Sequence, residues 1–144
     1  MQVPLTKAIV VASVAWPLLL GAAVVAQVHD RSAAWTTVVY AACARVCHQL
    51  PGRSFHTAGV QWPVCARCSG LYLAAGVGAL AAFLRRRPTP WSAISIVALA
   101  AVPTAVTLGL EWTALAPMTN LLRFAAALPL GAAIAFAMVD AVKQ

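Results

Sequence analysis

The sequence is short of charge, and shortest of acid. Charged residues make up 9% of its 144 positions and only three are acidic, where ordinary soluble domains carry roughly 25% charge. With 62% of the residues hydrophobic, a soluble chain would leave too little polar surface to stay dispersed, which excludes an ordinary soluble enzyme and points to a membrane. Long basic tracts are missing as well. The net charge is +7, yet apart from Arg85-Arg86-Arg87 the lysines and arginines stand in ones and twos at the ends of apolar runs. Membrane proteins place charge this way and nucleic-acid surfaces do not, so no nucleic-acid partner is expected. Internal repeats and low-complexity tails are absent too, which leaves a single membrane domain over 1–144.

What the chain does have is apolar runs of spanning length. Ala8–Val28 is interrupted only by Ser13 and Gln27, and about 20 such residues cross a bilayer as a helix. The run is long for a secretory signal, although Val24-Val25-Ala26 resembles a cleavage site, so a retained span over 8–28 is expected. Pro17 should kink it without breaking it. Beyond the polar His29-Asp30-Arg31-Ser32, Ser32 is the expected N-cap of a short helix over 33–47. That helix is too short and too polar to span and should lie along the interface. Pro51-Gly52 ends it, and an ordered loop follows with Gly52, Gly59 and Pro63 as turn formers. Further spans are expected over 69–84, 91–110 and 121–139. The first of these is rich in small residues (Gly70, Ala74, Gly76, Gly78, Ala79) suited to close packing. The expected fold is all-α and polytopic, with four transmembrane helices, a short interfacial helix and a Cys/His loop over 48–68.

Four spans put both termini on one side of the membrane with Arg85–Arg87. Lysine and arginine counts are equal on the two sides, five each. The triple arginine in a very short loop breaks the tie and sets the termini in the cytoplasm, with the Cys/His segment outside, in the cell membrane. In either orientation the Cys/His segment, Glu111, Asn120 and Arg123 share one face. Glu111 is the sole glutamate, and charges at such depth are either paired, facing a cavity, or snorkelling to the headgroups.

All four cysteines fall between positions 43 and 68. Cys65-Ala66-Arg67-Cys68 is a CxxC at a helix mouth, and Cys47 comes from the interfacial helix. Three sulfurs plus one further ligand would complete a tetrahedral metal site, most simply zinc. His48 is the leading fourth ligand, with Cys43 and His56 as alternates. Cys47 and His48 point about 100° apart on a helix, so both can ligate only if the helix frays there. The competing reading is thiol–disulfide exchange at Cys65–Cys68, its thiolate favoured by Arg67 and the helix start. Cys43 and Cys47 would not pair on a regular helix, where i,i+4 Cβ atoms are about 5–6 Å apart and a disulfide needs about 3.8 Å. A c-type haem would require a C-x3-C-H spacing variant, Cys43 to His48. Inert buried cysteines are the bland alternative.

The string Cys47-His48-Gln49, Pro51-x-Arg53-Ser54-Phe55, Gly59, Pro63-Val64-Cys65-Ala66-Arg67-Cys68-x-Gly70-Leu71-Tyr72 resembles the signature of domain-of-unknown-function family 2085, membrane proteins of bacteria and archaea. Thr119-Asn120-Leu121-Leu122-Arg123-Phe124 is similar to that family's second patch. The resemblance implies that Cys47, His48, Arg53, Cys65, Arg67, Cys68, Asn120 and Arg123 belong together. It does not demand Cys43 or His56, and Glu111-Trp112 departs from its pattern. It implies no particular activity.

Arg53, Arg67, Asn120 and Arg123 are accordingly the candidate seat of an anionic or lipid-like ligand, through forked guanidinium donors. For each arginine alone, headgroup contact is the plainer role. Glu111, Arg53, Arg67 and Arg123 are the candidates for any catalytic role, though no reaction is legible. An enzyme or redox protein would need a cavity beside the site. An accessory subunit of a larger membrane complex, contacting lipids and other subunits, would use the metal only to pin the loop.

Overall fold

The computed structural model describes residues 2–30, 34–85 and 90–143. Arg31, Ser32, Arg86 and Arg87, expected at the ends of helices, lie outside the described residues. Five helices run in order: α1 Gln2–His29, α2 Ala34–Ala44, α3 Ala66–Leu84, α4 Ala93–Trp112 and α5 Asn120–Lys143. All but α2 are long and apolar enough to cross a membrane. The fold is therefore an all-α polytopic one, with one addition. Between α2 and α3 a short hairpin pairs β1 Ser54–Thr57 with β2 Val60–Cys65.

The small residues of α3 decide how the bundle closes. A Cβ on Gly70, Gly78 or Gly131 would sit inside the contact distance of a backbone carbonyl across the α3–α5 seam, at Phe124, Ala132 and Leu71 respectively. Only glycine lets the two backbones approach so closely, and dispersion then acts over the whole seam. α1 packs along α3 and, less, α5, with Gly76 against the Ser13 backbone. α4 leans on α5, where Thr104 Oγ1 donates to the Ala126 carbonyl at 2.8 Å. Its outer face, including Ile94 and Leu99, is exposed, as a lipid-facing helix requires. Pro17, Pro103 and Pro129 all remain inside their helices.

Two boundaries differ from expectation, and both matter to the site. α2 stops at Ala44 instead of Cys47, and Arg45 and Val46 turn the chain before Cys47 N donates to the Cys43 carbonyl at 2.9 Å. α3 begins at Ala66, so Cys68 is helical and Cys65 is the extended residue (φ −67°, ψ 163°) that leads in. The segment expected to be loop holds the hairpin. Its turn has positive φ at both Ala58 (49°) and Gly59 (76°), the twist that a two-residue hairpin loop needs.

Candidate metal centre and arginine cluster

The site is assembled by the hairpin. β2 returns the chain from the turn to Cys65, opposite Ser54 in the register, with an irregularity between Ser54 and His56. Gln49 fixes the other side. It holds a left-handed backbone (φ 48°), a conformation that costs a non-glycine residue about 1–3 kcal/mol and needs support. The support is its own amide: Nε2 donates to the Tyr40 carbonyl at 2.9 Å and to the Pro63 carbonyl at 2.7 Å. Gln61 Nε2 donates to the Gln49 carbonyl at 2.6 Å, and Tyr40 hydroxyl to the Gln61 carbonyl at 2.7 Å. These bonds join α2 to β2 and leave Cys47 little freedom.

Cys47 then lies beside the CxxC turn. Its sulfur accepts from Cys65 N at 3.2 Å, and the sulfurs of Cys47, Cys65 and Cys68 all lie within 4.8 Å of one another. Thiolates on one tetrahedral zinc, each about 2.3 Å from it, would be about 3.8 Å apart. The cluster could hold a metal after a contraction of an ångström or less. The hydrogen bond from the Cys68 thiol is the main force that lowers the Cys65 thiol to about 5, against burial that raises it. Backbone N–H groups of Cys68 and Arg67 and the Cys47 thiol add to the lowering.

The other candidate ligands fall elsewhere. Cys43 is buried in the core with Leu20, Val39 and Val64, and burial, then the neighbouring Cys47, pushes its thiol up. It is a core residue beside the cluster and not a member of it. His48 is exposed and outside the sulfur group, although it lines the same cavity. The chain does leave the helix before Cys47, as joint ligation required, but the backbone turn at Gln49 directs the glutamine amide inward instead. His56 lies on the far side of the hairpin, lining an apolar cavity of about 420 Å³ with Phe55, Trp62, Tyr72 and Phe124.

A second cluster touches the first. Glu111, at the end of α4, accepts from Arg67 Nη1 at 2.8 Å on Oε2, and from Arg123 Nη2 at 3.0 Å on Oε1. Arg53 Nη2 reaches the same Oε1 at 3.1 Å. Asn120 Oδ1 accepts from Arg123 Nη1 at 2.8 Å while its Nδ2 donates to the Ser54 carbonyl at 3.0 Å. Thr119 caps α5, its hydroxyl accepting from Leu122 N at 3.2 Å. Asn120 is thereby free to bind the hairpin to the arginines. Glu111, Arg123 and Arg67 side chains are only 10%, 11% and 14% exposed, against 46% for Arg53. One carboxylate thus serves three guanidiniums. Among the described residues, buried Arg67 Nε and Nη2 and Arg123 Nε find no acceptor, and an unmet donor of this kind is costly in a dry setting. Arg53, Arg67 and Arg123 line a cavity of about 290 Å³ together with Cys47, Cys65 and Cys68.

Gln49, Tyr40 and Gln61 are functional positions that sequence reasoning missed. Gln49 lies inside the signature string, but a glutamine suggests neither ligand nor acid–base chemistry. Its role appears only once the hairpin is seen. Glu111, one of the four candidates for a catalytic role, is the shared counter-ion of the other three, Arg53, Arg67 and Arg123.

Four apolar helices, closed by a hairpin that gathers three sulfurs and three guanidiniums at one mouth, define a small polytopic membrane protein with a candidate metal-binding cluster. The chain belongs to the family described as "Predicted membrane protein (DUF2085)", which matches residues 47–137. That match begins at Cys47 and takes in the hairpin, α3, α4 and most of α5. An uncharacterized protein of Methanothermobacter thermautotrophicus is 33% identical over 90 residues, covering 62% of this chain and 81% of that protein. Another, from Methanocaldococcus jannaschii, is 35% identical over 92 residues, covering 60% of this chain and 56% of the relative. No solved structure matches the chain.

Proposed function

We propose that this is a cell-membrane protein whose Cys47, Cys65 and Cys68 hold a metal ion, most simply zinc. An anionic or lipid-like ligand would sit on Arg53, Arg67 and Arg123 beside it. The observation that carries the reading is the convergence of three sulfurs, from two elements 18 positions apart, within 4.8 Å. Thiolates suit zinc, and three on a preformed turn supply most of a tetrahedral shell. With the termini in the cytoplasm, the site would open to the outer side. Asn120 would act by holding Arg123 and the hairpin in place, and exposed His48 as a group at the cavity rim. Membrane lipids are the expected neighbours, and the exposed face of α4 leaves room for a further membrane subunit.

A second reading is favoured by the approach of the Cys65 and Cys68 sulfurs to within 4.8 Å of each other at the start of α3: Cys65 and Cys68 as a thiol–disulfide pair, with Cys47 as a third participant. Elemental analysis of protein purified in detergent, with thiols counted after denaturation, separates the two. About one zinc per chain and four free thiols after chelation support the metal. Metal-free protein with paired cysteines would remove it and favour exchange.

A further inference from the structure

The sulfur and arginine clusters face one cavity, and each is incomplete in a complementary way. The sulfur cluster offers three ligands within 4.8 Å, with His48, Cys43 and His56 outside the group. Zinc sites that only hold a fold are closed by four protein ligands, while sites that bind something keep one position open. The arginine cluster has three guanidiniums for one carboxylate, and three of its buried donors lack an acceptor among the described residues. A divalent ion on three thiolates carries one negative charge, and three arginines with Glu111 carry two positive charges. Together they leave one positive charge beside side chains that are shielded from water at Arg67, Arg123 and Glu111 and open to it at Arg53, and a single anion neutralises it.

We infer that one oxygen of a small oxyanion, the phosphate or carboxylate end of a ligand, completes the metal's coordination while Arg53, Arg67 and Arg123 hold the others. This deepens the metal reading above and rests on it. Planar guanidiniums match groups bearing two or more oxygens, and a halide or neutral molecule would leave their forks half used. The cavity of about 290 Å³ lies at the small end of ligand sites, so it fits a headgroup-sized anion. Arg53, the most exposed of the three at 46%, stands at the entrance.

Cobalt(II) in place of zinc tests this, because its ligand-field spectrum reports the coordination shell and its thiolate charge-transfer band reports the sulfurs. The loaded protein in detergent is titrated with inorganic phosphate and, separately, with short-chain phosphatidic acid. A saturable shift of the ligand-field bands with charge transfer retained is expected. If both probes shift them the oxyanion can come from water, and if only phosphatidic acid does, the ligand is a lipid headgroup. Arg53→Ala should raise the half-saturating concentration about tenfold, the loss of one charge-assisted hydrogen bond, and Arg67→Lys should raise it too by removing a fork while keeping the charge. Unmoved bands with both probes overturn the inference and leave the metal site standing. So does a shift of equal affinity in the wild type and both variants, since the metal would then bind anions without the arginines. Absence of the charge-transfer band itself is a separate result that removes the metal and, with it, the oxyanion.

Discussion

The two ends of the bundle solve the same problem of stranded charge in opposite ways. At the end away from the hairpin, Lys143 donates to the carbonyls of Ala82 at 2.8 Å, Phe83 at 3.4 Å and Arg85 at 2.6 Å. One ammonium with three donors meets three carbonyls at the end of α3, where a helix runs short of intrahelical donors. Among the described residues, all three donors of this ammonium are met. At the hairpin end one carboxylate is divided among three guanidiniums, donors remain unmet, and a cavity opens beside them. A balanced end fixes the fold. An end with unspent binding capacity is where a ligand belongs, and the difference is visible although both ends are built from basic residues meeting oxygen.

The largest effect should come from Glu111, the one carboxylate of the arginine cluster. Glu111→Gln leaves Arg53, Arg67 and Arg123 facing one another with no counter-ion, and breaking a buried charge cluster typically costs about 3–5 kcal/mol. Thermal unfolding in detergent should show a large drop in midpoint. A drop no greater than that of a change at Lys143 would break the comparison. Next comes the sulfur cluster. Replacing Cys65 or Cys68 by serine removes a ligand, and since losing even a group that only orients a ligand weakens metal binding about 10–100-fold, a loss of at least ~100-fold is expected in a competition assay with a chelating dye. Cys43→Ser should leave metal affinity near wild type, because Cys43 is a core residue outside the group.

The α3–α5 seam separates fold from site. Gly131→Ala would place a methyl against the Leu71 backbone carbonyl, and overpacking of this kind costs about 1–3 kcal/mol. Unfolding should be easier while the metal affinity of the folded fraction is unchanged. An altered affinity would mean that the seam also sets the position of the site.

How much of this was legible beforehand depends on what each feature is made of. Membrane spans are written in length and hydropathy, so four of them could be read directly, and the small residues of α3 announced its tight seam. The convergence of Glu111, Asn120 and Arg123 with the cysteine segment followed from counting spans. The hairpin was not legible. Its turn is Ala58-Gly59 instead of the Asn-Gly or Asp-Gly that signals such a loop, and Pro63 within β2 argues against a strand. Gln49 was invisible for a related reason: it acts through two carbonyls, at Tyr40 and Pro63, that come together only in the folded chain. Gln49→Ala should therefore cost about 1–3 kcal/mol through the unmet carbonyls. It should also loosen metal binding by releasing Cys47. Gln49→Gly, which relieves the left-handed backbone, should recover part of the stability but none of the amide's hold on the hairpin.

The smallest effect is expected at Lys143. Its three acceptors make it look important, but it is exposed, and water can take over from an ammonium at a helix end with little loss. Cations near a helix C-terminus contribute about 0.3–1 kcal/mol at an exposed site, so Lys143→Ala should lower stability by no more than this. The effect should fade as salt is raised, since exposed charges are screened. At the other mouth, Glu111→Gln should respond weakly to salt, because its partners Arg67 and Arg123 are shielded from solvent. Unfolding midpoints of the two variants at low and high salt give the sharpest form of the contrast: a small, salt-sensitive loss at one end and a large, salt-resistant one at the other. Equal salt dependence at both ends would mean that the arginine cluster is open to bulk water, and a surplus of charge there would no longer imply a ligand.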